Sequence, residues 1–280
     1  MDAVLRRIRS LDPARDDAEI CRLSLGYHFA EEYTVALRFA LLRTFCVPEI
    51  AALLDQTGEL IRRPQRRHDD TVLLLAELIE HGLEHPRARR AMARINALHA
   101  PYTIPNDQSL YVLSTFVLEP IRWVDRYGWR PLEPIERAAT LHLWRRIGEQ
   151  MGVRDIPTRL ADLDAYNRRY EAERFAPSPA GRRLADAAVQ MAAGWFPAPL
   201  RPMVPELMCA LLDPPARAAF GWPDPSPLAQ GGTDRTLRLA SRIKAALPTR
   251  RQPQVITARR HRSYPHGYTI EGLGPASSEN

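Results

Sequence analysis

The stretch "RINALHAPYTIPNDQSLYVLSTFVLEPIRW", residues 94–123, decides the fold class. Ahead of it and into it, Met92, Ile95 and His99 stand at i, i+3 and i+7, so one helical face carries all three. Pro101 and Pro105 end that helix, and Asn106 or Asp107 is placed to cap the next. The next helix, "QSLYVLSTFVLEPIRWVDRYG", is apolar almost all round, the pattern of a helix buried at the centre of a helical protein. Pro120 is expected to kink it.

Outward from this stretch the pattern stays helical. Asp69 and Asp70 read as caps of a helix "TVLLLAELIEHGLEH", and Pro86 suits the first turn of the one that follows. Further helices are expected from Pro134 to about Gly148, from Thr158 to about Arg174, and two or three between Ala180 and Leu247. No period-2 strand is convincing, although "QVITA" at 254–258 suits extended chain. Of the 25 prolines, 15 lie after residue 176, which predicts short helices and stiff loops there. The reading is one all-α domain over 1–280, with a core at about 25–175 and a Pro-rich part, 176–280, packed on it.

Composition removes several functions. The longest apolar runs, "TVLLLAEL" and "LYVLSTFVL", fall short of the roughly 20 residues that cross a bilayer. The N-terminus is charged and has no apolar leader segment, so neither a secretory signal nor an N-terminal anchor is expected, and the expected location is cytoplasmic. Cys21, Cys46 and Cys209 form no CxxC pair and read as small buried hydrophobes. Net charge is +6, yet all but one of the 39 basic residues are arginine, scattered without stacking aromatics. Nucleic-acid binding is therefore not expected, while peripheral membrane contact stays open.

Walker-type, GxGxxG, GxSxG and HExxH motifs are absent, as are paired ExxH motifs. His81 and His85 have the i, i+4 spacing of a metal pair, but Gly82 and Pro86 make this a helix end, where histidines are favoured by the macrodipole. His99 has two readings: a hydrogen-bonded helix-end residue, or an axial ligand presenting one imidazole nitrogen while the other donates to a carbonyl. Spacing does not choose between them.

Taken together, "RPQRRHDDTVLLLAELIEHG" (63–82), the 94–132 run and "LWRRIGEQMGVRDIP" (143–157) resemble the MpaB and latex-clearing-protein family, the rubber-oxygenase catalytic domain. The likeness covers about 35–175, is weaker beyond, and is closer to short MpaB-type members than to polymer-cleaving enzymes. It implies a globin-reminiscent helical bundle around haem b and oxygenase chemistry with O₂ on a hydrophobic small molecule, such as cleavage of a C=C bond in an isoprenoid chain. It places the iron-ligating histidine on His99 and two pocket residues on Arg67 and Thr71. The i, i+4 spacing of that pair puts both side chains on one face. One position departs: the lysine that precedes this threonine in rubber oxygenases is Asp70 here. The resemblance thus implies an oxygenase, with a non-catalytic haem- or lipid-binding protein of the same fold as the alternative, and a metal hydrolase built on His81 and His85 as the third reading.

Overall fold

The computed structural model describes residues 2–275. Helices α1 (Ala3–Arg9) and α2 (Asp17–Leu23) lead through a six-residue π-helical turn, Ser24–Phe29, into α3 (Ala30–Thr44). Then come α4 (Pro48–Thr57), α5 (Glu59–Arg62), α6 (Pro64–His81), α7 (Pro86–His99) and α8 (Asn106–Tyr127). After α9 (Pro134–Gln150) and α10 (Leu160–Arg174) the chain forms α11 (Pro179–Ala193), α12 (Val204–Leu211), α13 (Pro214–Phe220) and α14 (Pro227–Ala246). No strand occurs among the described residues, and 254–258 is irregular chain. The fold is all-α.

The near-continuous apolar surface of α8 has the predicted consequence. Helices α3, α9 and α10 all pack on it. Leu113, Val117, Ile121 and Val124 are buried, and Phe116 stacks on Trp144 of α9 at 5.1 Å. Each such side chain contributes about 1.5–3 kcal/mol by leaving water. The helix continues through Pro120 to Tyr127 as one element.

Three residues expected as caps serve other purposes. Helix α6 begins at Pro64, five and six residues before the expected caps, so Asp69 and Asp70 lie inside it and are buried. Asn106 opens α8, but its side chain pairs with the backbone of Arg154, at 2.8 and 3.2 Å, rather than capping its own helix. The late prolines are also put to a different use than the sequence suggested. Pro179, Pro205, Pro214 and Pro227 sit in the first turns of α11–α14, where a missing N–H costs nothing. The region after 176 therefore holds four α-helices, one more than expected.

The second half of α3 builds a separate core with this late region, in which Phe39, Leu42 and Phe45 meet Leu184, Ala216 and Phe220. Beside it Arg43 is buried and bonds Glu171 of α10 at 2.5 and 2.8 Å and Asp213 at 3.0 Å, with Glu119 of α8 at 3.7 Å. Burial opposes this charge, but the hydrogen bond to Glu171 and the fields of three carboxylates hold it on. Removing Arg43 leaves those carboxylates without their cation. Arg43→Leu is expected to cost about 3–5 kcal/mol in urea unfolding, and a loss below 1 kcal/mol, roughly that of a surface pair, contradicts this placement.

Candidate functional site

Helices α6 and α7 form an antiparallel hairpin closed by Gly82–His85. The left-handed-side φ of Gly82, 80°, lets the chain leave α6 there. Antiparallel pairing brings the start of α6 level with the end of α7, so Arg67 and the His99–Tyr102 turn share one end of the hairpin. Tyr102 accordingly contributes to the electrostatic environment of the Arg67 guanidinium.

His99 is the last residue of α7 and is exposed, whereas Met92 and Ile95 of the same face are buried. Its Nδ1 lies 2.8 Å from the Ile95 carbonyl oxygen. A carbonyl accepts only, so Nδ1 carries the proton and Nε2 presents a lone pair. Nε2 makes no hydrogen bond among the described residues.

Arg67 and Thr71, one turn apart on α6, are locked together. The threonine hydroxyl donates to the Arg67 carbonyl at 2.9 Å and accepts from the Arg67 guanidinium. Both functions of the hydroxyl are thereby used, which makes Thr71 a support for Arg67. Arg67 has no carboxylate partner among the described residues. Burial pulls its pKa below the usual arginine range, with partial compensation from Asp70 and Glu59.

Asp70, at the family's lysine position, accepts a hydrogen bond from the hydroxyl of Tyr264. The partner belongs to a C-terminal strap, 253–275, that lies along α6 and is fixed by its acidic residues. Asp69 accepts from the Ser263 N–H at 2.9 Å, and Glu77 from the Tyr268 hydroxyl at 2.6 Å. Glu80 accepts from Ile256 N–H at 2.5 Å and from the Thr257 hydroxyl at 2.7 Å. Burial, and then the hydrogen bond to Asp70, push the Tyr264 phenol up to about 12.

On another face of α6 the helix scarcely touches α3, and a cavity of about 250 Å³ separates them. Its walls are mostly apolar, with Leu37 and Leu41 from α3 and Val72, Leu75 and Ile79 from α6. Thr71 lines it; Arg67 and His99 do not. The π-helical turn supplies Gly26, where an added Cβ would stand 3.0 Å from Pro253, so glycine lets the strap close the cavity. The 109–118 helix and Trp123 take no part in this cavity. They are packed into the cores, Trp123 against Phe39 at 5.3 Å.

Sequence reasoning missed Arg38 and His68, which mark one end of the cavity beside Trp195. The Arg38 guanidinium lies 4.2 Å above the Trp195 ring and the His68 ring 5.2 Å from it. A charge inside the apolar run "TVALRFALL" (34–42) was the available signal.

Residues 27–242 match the family described as ER-bound oxygenase mpaB/B'/rubber oxygenase, catalytic domain. The chain belongs to this family. The match extends the likeness beyond 35–175 in both directions. ER-bound oxygenase mpaB' of Penicillium brevicompactum is 29% identical over 209 residues, 68% of this chain and 49% of that protein. ER-bound oxygenase mpaB of the same organism is 31% identical over 173 residues, 55% of this chain and 44% of that protein. The mpaB protein of Penicillium roqueforti is 28% identical over 221 residues, 72% of each. The chain thus spans about half the length of the first two relatives. Among the described residues no helix is long and apolar enough to cross a membrane.

The His81–His85 pair is occupied structurally. The rings stack at 4.8 Å, and His85 Nδ1 accepts the Arg87 N–H at 3.2 Å as the cap of α7. Among the described residues no three His, Cys, Asp or Glu side chains form a metal-holding group.

His68 gives the site a pH signature. Burial, and next the charge of Arg38, lower its pKa to about 4. Between the unfolded value near 6.5 and that value, the unfolded chain binds a proton that the folded chain refuses, so stability falls as pH falls. From pH 7 to pH 5 the loss attributable to His68 should be about 2 kcal/mol. Urea unfolding of His68→Gln, which keeps His28 and the remaining histidines, should show that much less pH dependence; an unchanged slope contradicts the assignment.

Proposed function

We propose that this chain is a haem b-dependent oxygenase that acts with O₂ on a hydrophobic small molecule, with oxidative cleavage of a C=C bond in an isoprenoid-like chain as the reaction class. The single observation that carries the reading is the hydrogen bond from His99 Nδ1 to the Ile95 carbonyl, in a chain of the oxygenase family. That bond fixes the tautomer an axial ligand needs and leaves the Nε2 lone pair free to bind a metal. A half-buried guanidinium without a carboxylate suits the anionic propionate of such a cofactor, and Arg67 is that group at the same end of the hairpin. The residues present therefore fit a haem.

Within this reading His99 would hold the iron, with Ile95 holding His99. Arg67 would bind an anionic group of the haem, and Thr71 keeps the Arg67 side chain in place by its paired hydrogen bonds. The haem, when bound, supplies the redox chemistry with O₂. Asp70, a carboxylate where rubber oxygenases have a lysine, brings no cation to that chemistry and is tied to Tyr264. Apolar walls such as those between α3 and α6 favour a hydrophobic substrate and exclude water from it.

The alternative, a haem- or lipid-binding protein without turnover, is favoured by one specific observation, the replacement of the family's lysine by Asp70. Two measurements decide. Protein expressed with ample haem should show a Soret band that is lost in His99→Ala, and Arg67→Ala should weaken haem binding by about tenfold, the worth of one charge-assisted contact. A colourless wild-type protein contradicts haem binding altogether. Oxygen consumption by the reduced, haem-loaded protein across a panel of isoprenoid compounds then separates enzyme from binder, and no uptake with any of them favours the binder.

A further inference from the structure

The cavity between α3 and α6 is not a uniform apolar void. It follows α6 from His68 to Ile79, a length of about 16 Å at the helical rise. The two helices run antiparallel across it. At one end Arg38 of α3 and His68 of α6 share the Trp195 ring. At the other, Gly26 accepts from Gln254 at 2.8 Å and Glu80 holds Ile256 and Thr257. Leu37, Leu41, Val72 and Leu75 are half-buried because each faces this gap instead of a packing partner.

Arg38 is the half-buried cation of this cavity. Most arginines in this chain are paired with carboxylates, yet Arg38 makes no hydrogen bond or ion pair among the described residues, and its Nε is buried without a partner. The nearest acidic influence is Asp69, whose oxygens are taken by Gln65 at 2.9 Å and by the Ser263 N–H at 2.9 Å. Desolvation lowers the Arg38 pKa to about 10, so the cation persists at neutral pH. A desolvated guanidinium with open donors attracts an anion more strongly than one in water. Carboxylates match its fork geometry. His68 beside it is neutral, so it adds a hydrogen-bonding ring without competing charge.

We infer that this cavity binds an amphiphile with a carboxylate head and an unbranched or lightly branched apolar tail, the head on Arg38 beside His68 and Trp195 and the tail between α3 and α6 towards Ile79. The far mouth also carries an arginine, Arg22, but that side chain is exposed and hydrated, so it attracts a carboxylate less. Charge complementarity selects the head, and the wall selects the tail. The head site on Arg38 is apart from His99 and Arg67, neither of which lines the cavity, while Thr71 of its wall also supports Arg67.

Calorimetric titration of the full chain with decanoate, decanol and decyltrimethylammonium tests this. Decanoate should bind at least about tenfold more tightly than decanol, the cationic amphiphile should be weakest, and Arg38→Gln should erase the preference. Arg22→Gln should keep it. Leu75→Trp, which fills the cavity, should abolish decanoate binding while Arg38 remains in place; it also serves if Arg38→Gln fails to fold. Equal affinity for decanoate and decanol, a preference that survives Arg38→Gln, undiminished binding in Leu75→Trp, or no binding at all overturns the proposal.

Discussion

Four carboxylates on one helix hold the C-terminal strap in place, and the site depends on that attachment. Asp69, Asp70, Glu77 and Glu80 would each be costly inside a protein without donors. The strap and its neighbours supply them: Ser263 and Ile256 backbone N–H groups, the hydroxyls of Thr257, Tyr264 and Tyr268, and the Arg87 guanidinium. Burial works against the charge of Glu77, yet the bonds from Arg87 and Tyr268 bring its pKa below the usual carboxylate value. Arg87 comes from α7, so the same carboxylate also ties the hairpin together. Helix α6 is thus fixed by strap and hairpin, and the face towards α3 is left to form a cavity.

This arrangement explains how one helix serves two places. Arg67 lies at the end of the hairpin where α7 delivers His99, and Thr71, one turn on, supports Arg67 while lining the cavity. A substrate chain between α3 and α6 would therefore approach the Arg67–Thr71 pair from the apolar side, in keeping with the proposed chemistry on a hydrophobic molecule. Tyr264 occupies the carboxylate that replaces the family's lysine, so the strap sets the chemistry of that position.

The central helix was legible because its signal is local. An almost wholly apolar stretch has nowhere to go but inside, and 106–127 lies there. His99 could be placed at a helix end from Pro101 and the periodicity before it, but its exposure and its bond to Ile95 needed coordinates. Asp69 and Asp70 were misread as caps because acidic residues ahead of an apolar run look like caps. Their partners stand 194 residues away, and no local pattern carries that information. Arg38 was visible as a charge in an apolar run, yet its stacking on Trp195 and its lack of an anion are tertiary facts.

In the proposed function the α6–α7 hairpin presents His99 Nε2, with its tautomer set by the Ile95 carbonyl, as the ligand of a haem iron. Resonance Raman spectroscopy of the reduced, haem-loaded protein tests it most directly. With His99 as the ligand, an iron–histidine stretching band should shift on ¹⁵N-histidine labelling and vanish in His99→Gly, with free imidazole restoring it. A band that persists unchanged in His99→Gly, without imidazole, would place the ligand on another residue and contradict the account.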